Sequence, residues 1–201
     1  MTPRANEAQI YDAELSPTKD ELLATHSHIT TREGSYRALD RDGEVGIEVI
    51  VGTDAAGKRT QYGFTYRDQA IALDDELSAL HHSELGNRSV APLTADPVGV
   101  REIIQLILTG RKGADFSLGA PIFAVHGTGH LSDVNVDEVE IEEHNASTCF
   151  GCATLDGEEH RFQLRIEQEI KDQPVIDDGE LALVTAGPSG DIALIRLEVW
   201  T

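Results

Sequence analysis

The clearest alternation of hydrophobic and polar positions runs over residues 44–52 and predicts a β-strand with one buried face. Its apolar positions are Val45, Ile47, Val49 and Val51. Residues 59–67 repeat the period and place Tyr62, Phe64 and Tyr66 on one face. The intervening segment, 53–58, reads Thr-Asp-Ala-Ala-Gly-Lys and is typical of a turn. The pattern therefore predicts a β-hairpin.

A helical period replaces this alternation over Pro97–Thr109. Its apolar positions follow the spacing of a single buried stripe: Val100, Ile103, Ile104, Ile107 and Leu108. Asp96 is the expected N-cap, and Gly110 is expected to end the helix. A shorter helix is predicted over Lys19–His26, where Thr18 and Glu21 match a capping box. A modest third helix is predicted over residues 74–82, with acidic residues at its start.

The second part of the chain reads almost entirely as strands. They are predicted at 116–126, 134–142, 148–155, 160–170, 180–186 and 192–200. Asp156-Gly157 is a strong hairpin signal between two of them, and Pro121 indicates an edge position or a bend in the first. We therefore expect an α+β fold: a strongly twisted, mostly antiparallel β-sheet, with a barrel-like curl as one form of it, and about three helices. Regions 1–110 and 111–201 are expected to share one domain.

The charge balance excludes some partners. The 201 residues include 36 acidic and 16 basic side chains, which gives a formal net charge of −20. Nucleic acids and anionic membrane surfaces select clustered Lys and Arg, so neither is an expected partner. Residues 1–10 contain no apolar core of a secretory signal, and no apolar run is long enough to span a membrane. A cytoplasmic location is expected.

The two cysteines, Cys149 and Cys152, form a CxxC motif. His144 and His160 flank it, so a zinc site is one interpretation, and a redox pair is another. The surroundings read as a strand, however, where residues three apart point to opposite faces. We therefore favour two unconnected thiols.

The remaining polar motifs have equally plain interpretations. His81, His82, His126 and His130 are at no spacing that completes a metal site with a carboxylate, and they are best interpreted as surface or capping residues. An acidic run comprises Asp137, Glu138, Glu140, Glu142 and Glu143. We interpret it as a solvated strand face that protects a sheet edge, with a cation site or docking stripe as the alternative. The sequence has no phosphate-binding loop and no nucleophile elbow.

Several short segments occur in an order that resembles a known family. They are Leu15-Ser-Pro-Thr-Lys19 with Glu21-Leu-Leu23, Asp42-Gly-Glu-Val-Gly-Ile-Glu48, Thr65-Tyr-Arg67, His82-Ser-Glu-Leu-Gly86 with Arg88, and Asp96-Pro-Val98. Together they resemble the N-terminal cap domain of actinobacterial maltokinases, over roughly residues 9–110. In those enzymes the cap precedes a kinase core that phosphorylates maltose with ATP.

The second part of the chain departs from that family. Residues 111–201 contain no H-G-D or D-F-E type segment, and 91 residues are too few for a kinase core. Segments 159–170 and 180–199 instead resemble the strand-rich tail of stand-alone cap-like proteins. The resemblance thus implies a stand-alone cap-like protein that is not a kinase, with no catalytic residue, cofactor or metal.

Five residues within the resembling segments are not explained by backbone geometry: Glu48, Tyr66, Arg67, His82 and Arg88. One interpretation is a structural polar cluster, in which Glu48 and Arg67 pair across the hairpin. The other is a ligand or partner site.

Three functions follow from these observations. The leading one is a non-catalytic accessory or regulatory protein of maltose, trehalose or α-glucan metabolism that docks against an enzyme. The alternative is a module that binds a small molecule, a sugar or sugar phosphate, near Tyr66, Arg67 and His82. A metal-dependent enzyme that uses the histidines or cysteines is the third.

Overall fold

The structure is a computed structural model that describes residues 6–171, 176–177 and 179–201. The first five residues of the stretch 1–10, which the sequence predicts not to be a secretory signal, lie outside the described residues.

Two α-helices and fourteen strands occur in the described ranges. The helices are α1 (Lys19–His26) and α2 (Pro97–Thr109). The strands before α2 are β1 (Glu7–Ala8), β2 (Leu15–Ser16), β3 (Thr31–Leu39), β4 (Gly46–Thr53), β5 (Arg59–Asp68), β6 (Ser78–His82) and β7 (Gly86–Pro92). Those after it are β8 (Asp115–Phe116), β9 (Val125–Gly127), β10 (Val136–His144), β11 (Thr148–Leu155), β12 (Glu158–Ile166), β13 (Leu181–Gly187) and β14 (Gly190–Trp200). Two short 3₁₀ turns lie at Gln69–Ile71 and Leu93–Ala95.

These strands form two six-stranded sheets. The first has the order β2-β6-β7-β5-β4-β3 and the second the order β10-β11-β12-β14-β13-β9. All pairings within them are antiparallel, and the pair β1–β8 is parallel. The expected α+β class with a mostly antiparallel sheet is confirmed, and a sheet curls into a half-barrel. The division at residue 110 stays a prediction; the first sheet is built from strands before α2 and the second from strands after it.

Two of the three predicted helices are confirmed, and their caps are as expected. The Thr18 side chain accepts from the Glu21 backbone N–H, and the Glu21 side chain accepts from the Thr18 backbone, which completes the capping box. Asp96 caps α2 by accepting from Val98 and Gly99, and α2 ends at Gly110 in the left-handed conformation with φ +67°. Each cap thereby satisfies backbone N–H groups that the first turn of a helix leaves without an intrahelical partner.

The third predicted helix, 74–82, is wrong, and so is the expected number of about three helices. Residues Ser78–His82 form β6, which pairs with β2 on one side and with β7 on the other. Exposure alternates along this strand, with Leu80 buried between two exposed neighbours. Pairing on both sides therefore overrides a weak local preference for helix.

The single strand predicted over 116–126 is also wrong. Only its two ends are strands: β8 pairs with β1, and β9 pairs with β13. Gly119 between them has φ +78°. A left-handed residue followed closely by Pro121 breaks the ladder, which agrees with the bend that the proline indicated.

The predicted hairpin is confirmed as β4–β5, but β4 is buried on both faces rather than one. Its odd-numbered side chains, Ile47, Val49 and Val51, belong to a core shared with α2 and the second sheet. Ile50 on the other face packs in a smaller core beneath α1, with Leu22 and Leu23 of that helix. The polar side chain Glu48 lies on this second face and is 1% exposed. This face positions the candidate site.

Candidate functional site

A cavity of about 720 Å³ lies on the face of the first sheet that carries Glu48, beside the start of α1. Four of the five predicted site residues line it: Glu48, Tyr66, His82 and Arg88. Successive side chains of a strand point to opposite faces of the sheet. Side chains two positions apart therefore share a face, and so do residues directly opposite each other on paired strands. Segment 7–13, which precedes β2, supplies a further part of the wall.

Glu48 is the centre of a buried charged cluster. Its Oε1 accepts from Lys19 Nζ at 2.8 Å and from Ser35 Oγ at 2.7 Å, and it lies 3.3 Å from Arg37 Nη2. Lys19 is the first residue of α1, and Arg37 is the direct partner of Glu48 in the β3–β4 register. Both cations line the cavity. Two elements distant in sequence thus converge on one carboxylate.

The opposite charges in this cluster stabilise one another. Burial alone would raise the pKa of Glu48, but Arg37, Lys19 and the donated hydrogen bonds hold it at about 2. Burial lowers the pKa of Lys19, and Glu48 opposes that effect. Glu48 is therefore a carboxylate at neutral pH, and it does not act as a proton donor there.

Two polar atoms at this wall, Arg37 Nε and Arg88 Nε, are buried and have no hydrogen-bond partner among the described residues. The buried Tyr66 hydroxyl and the Glu48 carboxylate hydrogen-bond to each other. Burial raises the pKa of Tyr66 well above its usual range, and the charge of Glu48 adds to the effect, so Tyr66 stays a neutral phenol. Buried polar groups are normally paired, and unpaired ones beside a cavity can bind the polar groups of a ligand.

Arg88 and His82 lie on β7 and on β6, at the other side of the cavity. Arg88 forms a loose ion pair with Asp68, Nη1 to Oδ2 3.9 Å, and a long hydrogen bond of 3.5 Å to the Glu44 carbonyl. Burial and then the charge of Arg88 lower the pKa of His82. The Tyr11 and His82 rings meet edge to face with their centroids 5.5 Å apart.

Arg67 is the predicted site residue that the structure places elsewhere. It points to the opposite face of β5 from Tyr66, where its Nη2 lies 2.5 Å from Asp96 Oδ2. The expected pairing of Glu48 with Arg67 is therefore wrong: in the hairpin register Glu48 lies opposite Phe64. Arg67 instead ties the first sheet to the N-cap of α2.

The sequence interpretation missed Lys19 and Arg37. Lys19 lies within a segment that carries the family resemblance, and that position was the available signal. Arg37 lies on β3, a strand whose polar sequence, Thr-Arg-Glu-Gly-Ser-Tyr-Arg-Ala-Leu, has no clean alternation. Neither contact with Glu48 follows from local sequence.

The other motifs lie apart from this cavity or contribute singly to it. Within the described ranges no group of three or more His, Cys, Asp and Glu side chains could hold a metal ion. Cys149 is buried and Cys152 half-buried on alternate faces of β11, both as free thiols, as the strand pattern predicted. The five acidic residues from Asp137 to Glu143 are exposed on β10, an edge strand, which agrees with the interpretation as a solvated face.

Comparison with known proteins adds no identity: no protein-family model matches the chain, and no curated protein does. In the part of the chain that the structure describes, neither helix has the length and apolar character needed to cross a bilayer.

Proposed function

We propose that the protein is a small-molecule-binding module and that its ligand occupies the cavity beside α1. One observation carries this proposal: a cavity of about 720 Å³ whose wall contains two buried arginine Nε atoms, of Arg37 and Arg88, without partners in the described residues. Ligand sites in proteins are clefts of roughly 300–1,000 Å³, mostly apolar, with a few convergent polar groups. This cavity has the size and the composition of such a site.

The polar groups define what the ligand offers. Glu48 accepts hydrogen bonds, Arg37 and Arg88 donate them, and the Tyr66 hydroxyl does either. Hydroxyl groups satisfy both kinds of partner, and phosphate oxygens satisfy the donors. The resemblance to maltokinase caps points in the same direction, so sugars and sugar phosphates are the first ligand classes to test.

The resemblance also supports a wider proposal, namely a non-catalytic accessory role in maltose, trehalose or α-glucan metabolism through docking to an enzyme. Ligand binding and docking are compatible, and the cavity supports ligand binding more directly. Affinity purification from a native lysate tests the docking role. If no enzyme of this metabolism is recovered, the docking role is contradicted.

Gly46 offers a direct test of the cavity. It lines the cavity, its φ is ordinary, and a Cβ there would be 3.6 Å from the nearest atom, so a side chain can be added without strain. Gly46→Phe is expected to fill the cavity, and Gly46→Ala is the matched control. Calorimetric titration with maltose, trehalose, their phosphates and nucleotides should show binding to the wild type and to Gly46→Ala, and none to Gly46→Phe. Equal binding by the two variants would show that the ligand binds elsewhere, and no binding by the wild type would contradict the proposal for these classes.

A further inference from the structure

The mouth of the cavity is unusually apolar for the surface of this protein. Six large hydrophobic side chains are exposed in the described part of the chain, and three of them line this cavity: Tyr11 at 41%, Ile71 at 46% and Leu85 at 40%. They come from segment 7–13, the 3₁₀ turn after β5 and the β6–β7 turn. Single exposed hydrophobic residues are common, but three from separate segments around one opening mark a surface that meets another apolar group.

The wall behind this rim is apolar as well. Leu15 and Leu80 lie on β2 and β6, and Ile10 lies in segment 7–13. A ligand in this cavity would therefore contact aliphatic side chains. A wholly hydroxylated ligand leaves its outward hydroxyls without partners against such a wall, which costs free energy.

The charged donors that line the cavity are cationic. Lys19 and Arg37 flank the Glu48 carboxylate, and Arg88 lies at the other side of the cavity, on β7. Of the other acids that line the cavity, Asp68 pairs loosely with Arg88, and the rest have other partners or are not fully buried. Asp40 accepts from the backbone of its own turn and pairs with Arg101 at 3.2 Å, whereas Glu44 and Asp68 are exposed and Glu7 is half-buried.

Arg88 has donor capacity left. Its Nε is buried without a partner in the described residues, and its two contacts, to Asp68 and to Glu44, are long. A guanidinium with free N–H groups is well suited to a carboxylate or phosphate.

We propose that the ligand is an amphipathic organic anion, whose charged group accepts hydrogen bonds from Arg88, and whose apolar part packs against Tyr11, Ile71 and Leu85. This inference rests on the proposed function and defines the chemistry of its ligand more narrowly. An unsubstituted sugar phosphate supplies the anion but not the apolar part.

Four probes separate these contributions in calorimetric titration of the full chain. They are n-octyl phosphate, n-octyl β-glucoside below its micelle concentration, glucose 6-phosphate and inorganic phosphate. We expect octyl phosphate to bind at least tenfold more tightly than each of the others. If octyl glucoside binds as tightly as octyl phosphate, the anionic group does not contribute to affinity. If glucose 6-phosphate binds more tightly than octyl phosphate, the apolar rim does not contribute.

Matched variants locate the two ends of the probe. Arg88→Gln should weaken octyl phosphate about tenfold and change octyl glucoside little, since a hydrogen bond to a charged group is lost. Arg88→Lys should restore part of the affinity. Leu85→Ser should weaken both octyl compounds about fivefold, because apolar area is no longer buried. The controls are Arg161→Gln and Leu131→Ser, on exposed residues outside the cavity lining, and both should bind like the wild type.

The two proposals fail in distinguishable ways. If a sugar or nucleotide binds the wild type and Gly46→Ala but not Gly46→Phe, while octyl phosphate does not bind, the cavity is a ligand site and the amphipathic anion is wrong. If no probe in either experiment binds, both proposals are wrong for these classes. If Arg88→Gln and Arg161→Gln weaken octyl phosphate equally, the loss comes from the added net negative charge of both variants, and Arg88 does not contact the anion.

Discussion

Lys19 Nζ and Glu48 Oε1 are 2.8 Å apart, and this contact joins the first residue of α1 to the middle of β4. Glu48 is 1% exposed, so the ion pair lies where charges are poorly hydrated. Removal of one partner from such a pair leaves an uncompensated charge, which costs more than the pair contributes. The stability of the protein should therefore depend on each member of the Glu48 cluster and on pH.

The first prediction concerns acid. The pKa of Glu48 is about 2 in the folded protein against an ordinary value of 4.5, so folding favours the carboxylate. Its contribution to the free energy of unfolding is present above about pH 4.5 and is lost as the pH falls through the folded value. Between pH 5 and pH 2 the wild type should lose on the order of 3 kcal/mol more than Glu48→Gln. Urea unfolding at a series of pH values measures the difference.

Glu138→Gln is the control for this experiment, because it removes the same formal charge from exposed strand β10. This control measures how much stability the protein gains when one negative charge is lost from a chain with net charge −20, whose like charges repel each other. Parallel stability curves for the wild type and Glu48→Gln across this window would contradict the assignment of Glu48 as a buried, ion-paired carboxylate.

The second prediction concerns Lys19. Lys19→Met removes one of the two cations at Glu48, and Arg37 and Ser35 remain. We expect a loss of about 2 kcal/mol in the free energy of unfolding at pH 7, below the usual cost of breaking a fully buried pair. Lys58→Met is the matched control: its pair with Glu169 has side-chain exposures of 59% and 44%, and its loss should cost less than about 1 kcal/mol. Equal losses of unfolding free energy in the two variants would show that the burial of Glu48 does not make its ion pair more important for stability than an exposed pair.

Local signals account for the parts of the fold that the sequence predicted well. Every feature of α2 lies within fifteen residues: the Asp96 cap, the apolar stripe and the glycine end. The β4–β5 and β11–β12 hairpins are likewise short-range. By contrast, β6 has a helix-like composition and becomes a strand through pairing with β7, the next strand in the chain, and with β2, about sixty residues earlier. Such tertiary pairing leaves no clear periodic trace in a five-residue segment.

The candidate site shows the same limit. Tyr66 and Arg67 are neighbours on a strand and point to opposite faces, so the prediction of one site near both side chains conflicted with the period of the strand itself. Which of the two faces Glu48 shares depends on the hairpin register, and the loop over residues 54–58 does not fix it. Lys19 and Arg37 reach Glu48 only after α1 has packed on the sheet and β3 has paired with β4.

The third prediction concerns the opposite face of the first sheet. Asp96 has two roles there: Oδ1 caps α2, and Oδ2 pairs with Arg67, whose side chain is 10% exposed. Asp96→Asn keeps the acceptor and loses the charge, and it should cost about 3 kcal/mol. Asp96→Ala also loses the cap and should cost about 1 kcal/mol more.

A double-mutant cycle isolates the ion pair. Arg67→Met combined with Asp96→Ala should cost less than the sum of the single variants, because no unpaired buried charge remains. Strict additivity, measured by urea unfolding, would contradict a direct interaction between the two side chains.

The fourth prediction concerns Gly127, at the end of β9. A Cβ at this position would lie 2.0 Å from the Leu106 carbonyl oxygen and 2.7 Å from the Ile107 Cα, both in the backbone of α2. The glycine thus lets the strand pass directly against the helix, and Gly127→Ala should cost about 3 kcal/mol or prevent folding. Gly57→Ala is the control: its φ is +76° and the space around it is open, so it should cost only about 1 kcal/mol. Similar melting temperatures for both variants would contradict this close approach.

The last prediction distinguishes the two thiols of the CxxC segment. Cys149 is fully buried, and burial raises its pKa to about 12, so almost no reactive thiolate is present at pH 8. Cys152 is half-buried on the other face of β11, with its Sγ 3.7 Å from Arg161 Nη1. Titration of the native protein with an aromatic disulfide reagent should therefore label one thiol quickly, and the unfolded protein should show two.

In Cys152→Ser the fast reaction should disappear, while in Cys149→Ser it should persist unchanged. Two fast thiols in the native wild type, or a mass two units below that of the dithiol, would show that the pair is exposed or bonded and that β11 is not a regular strand at this point.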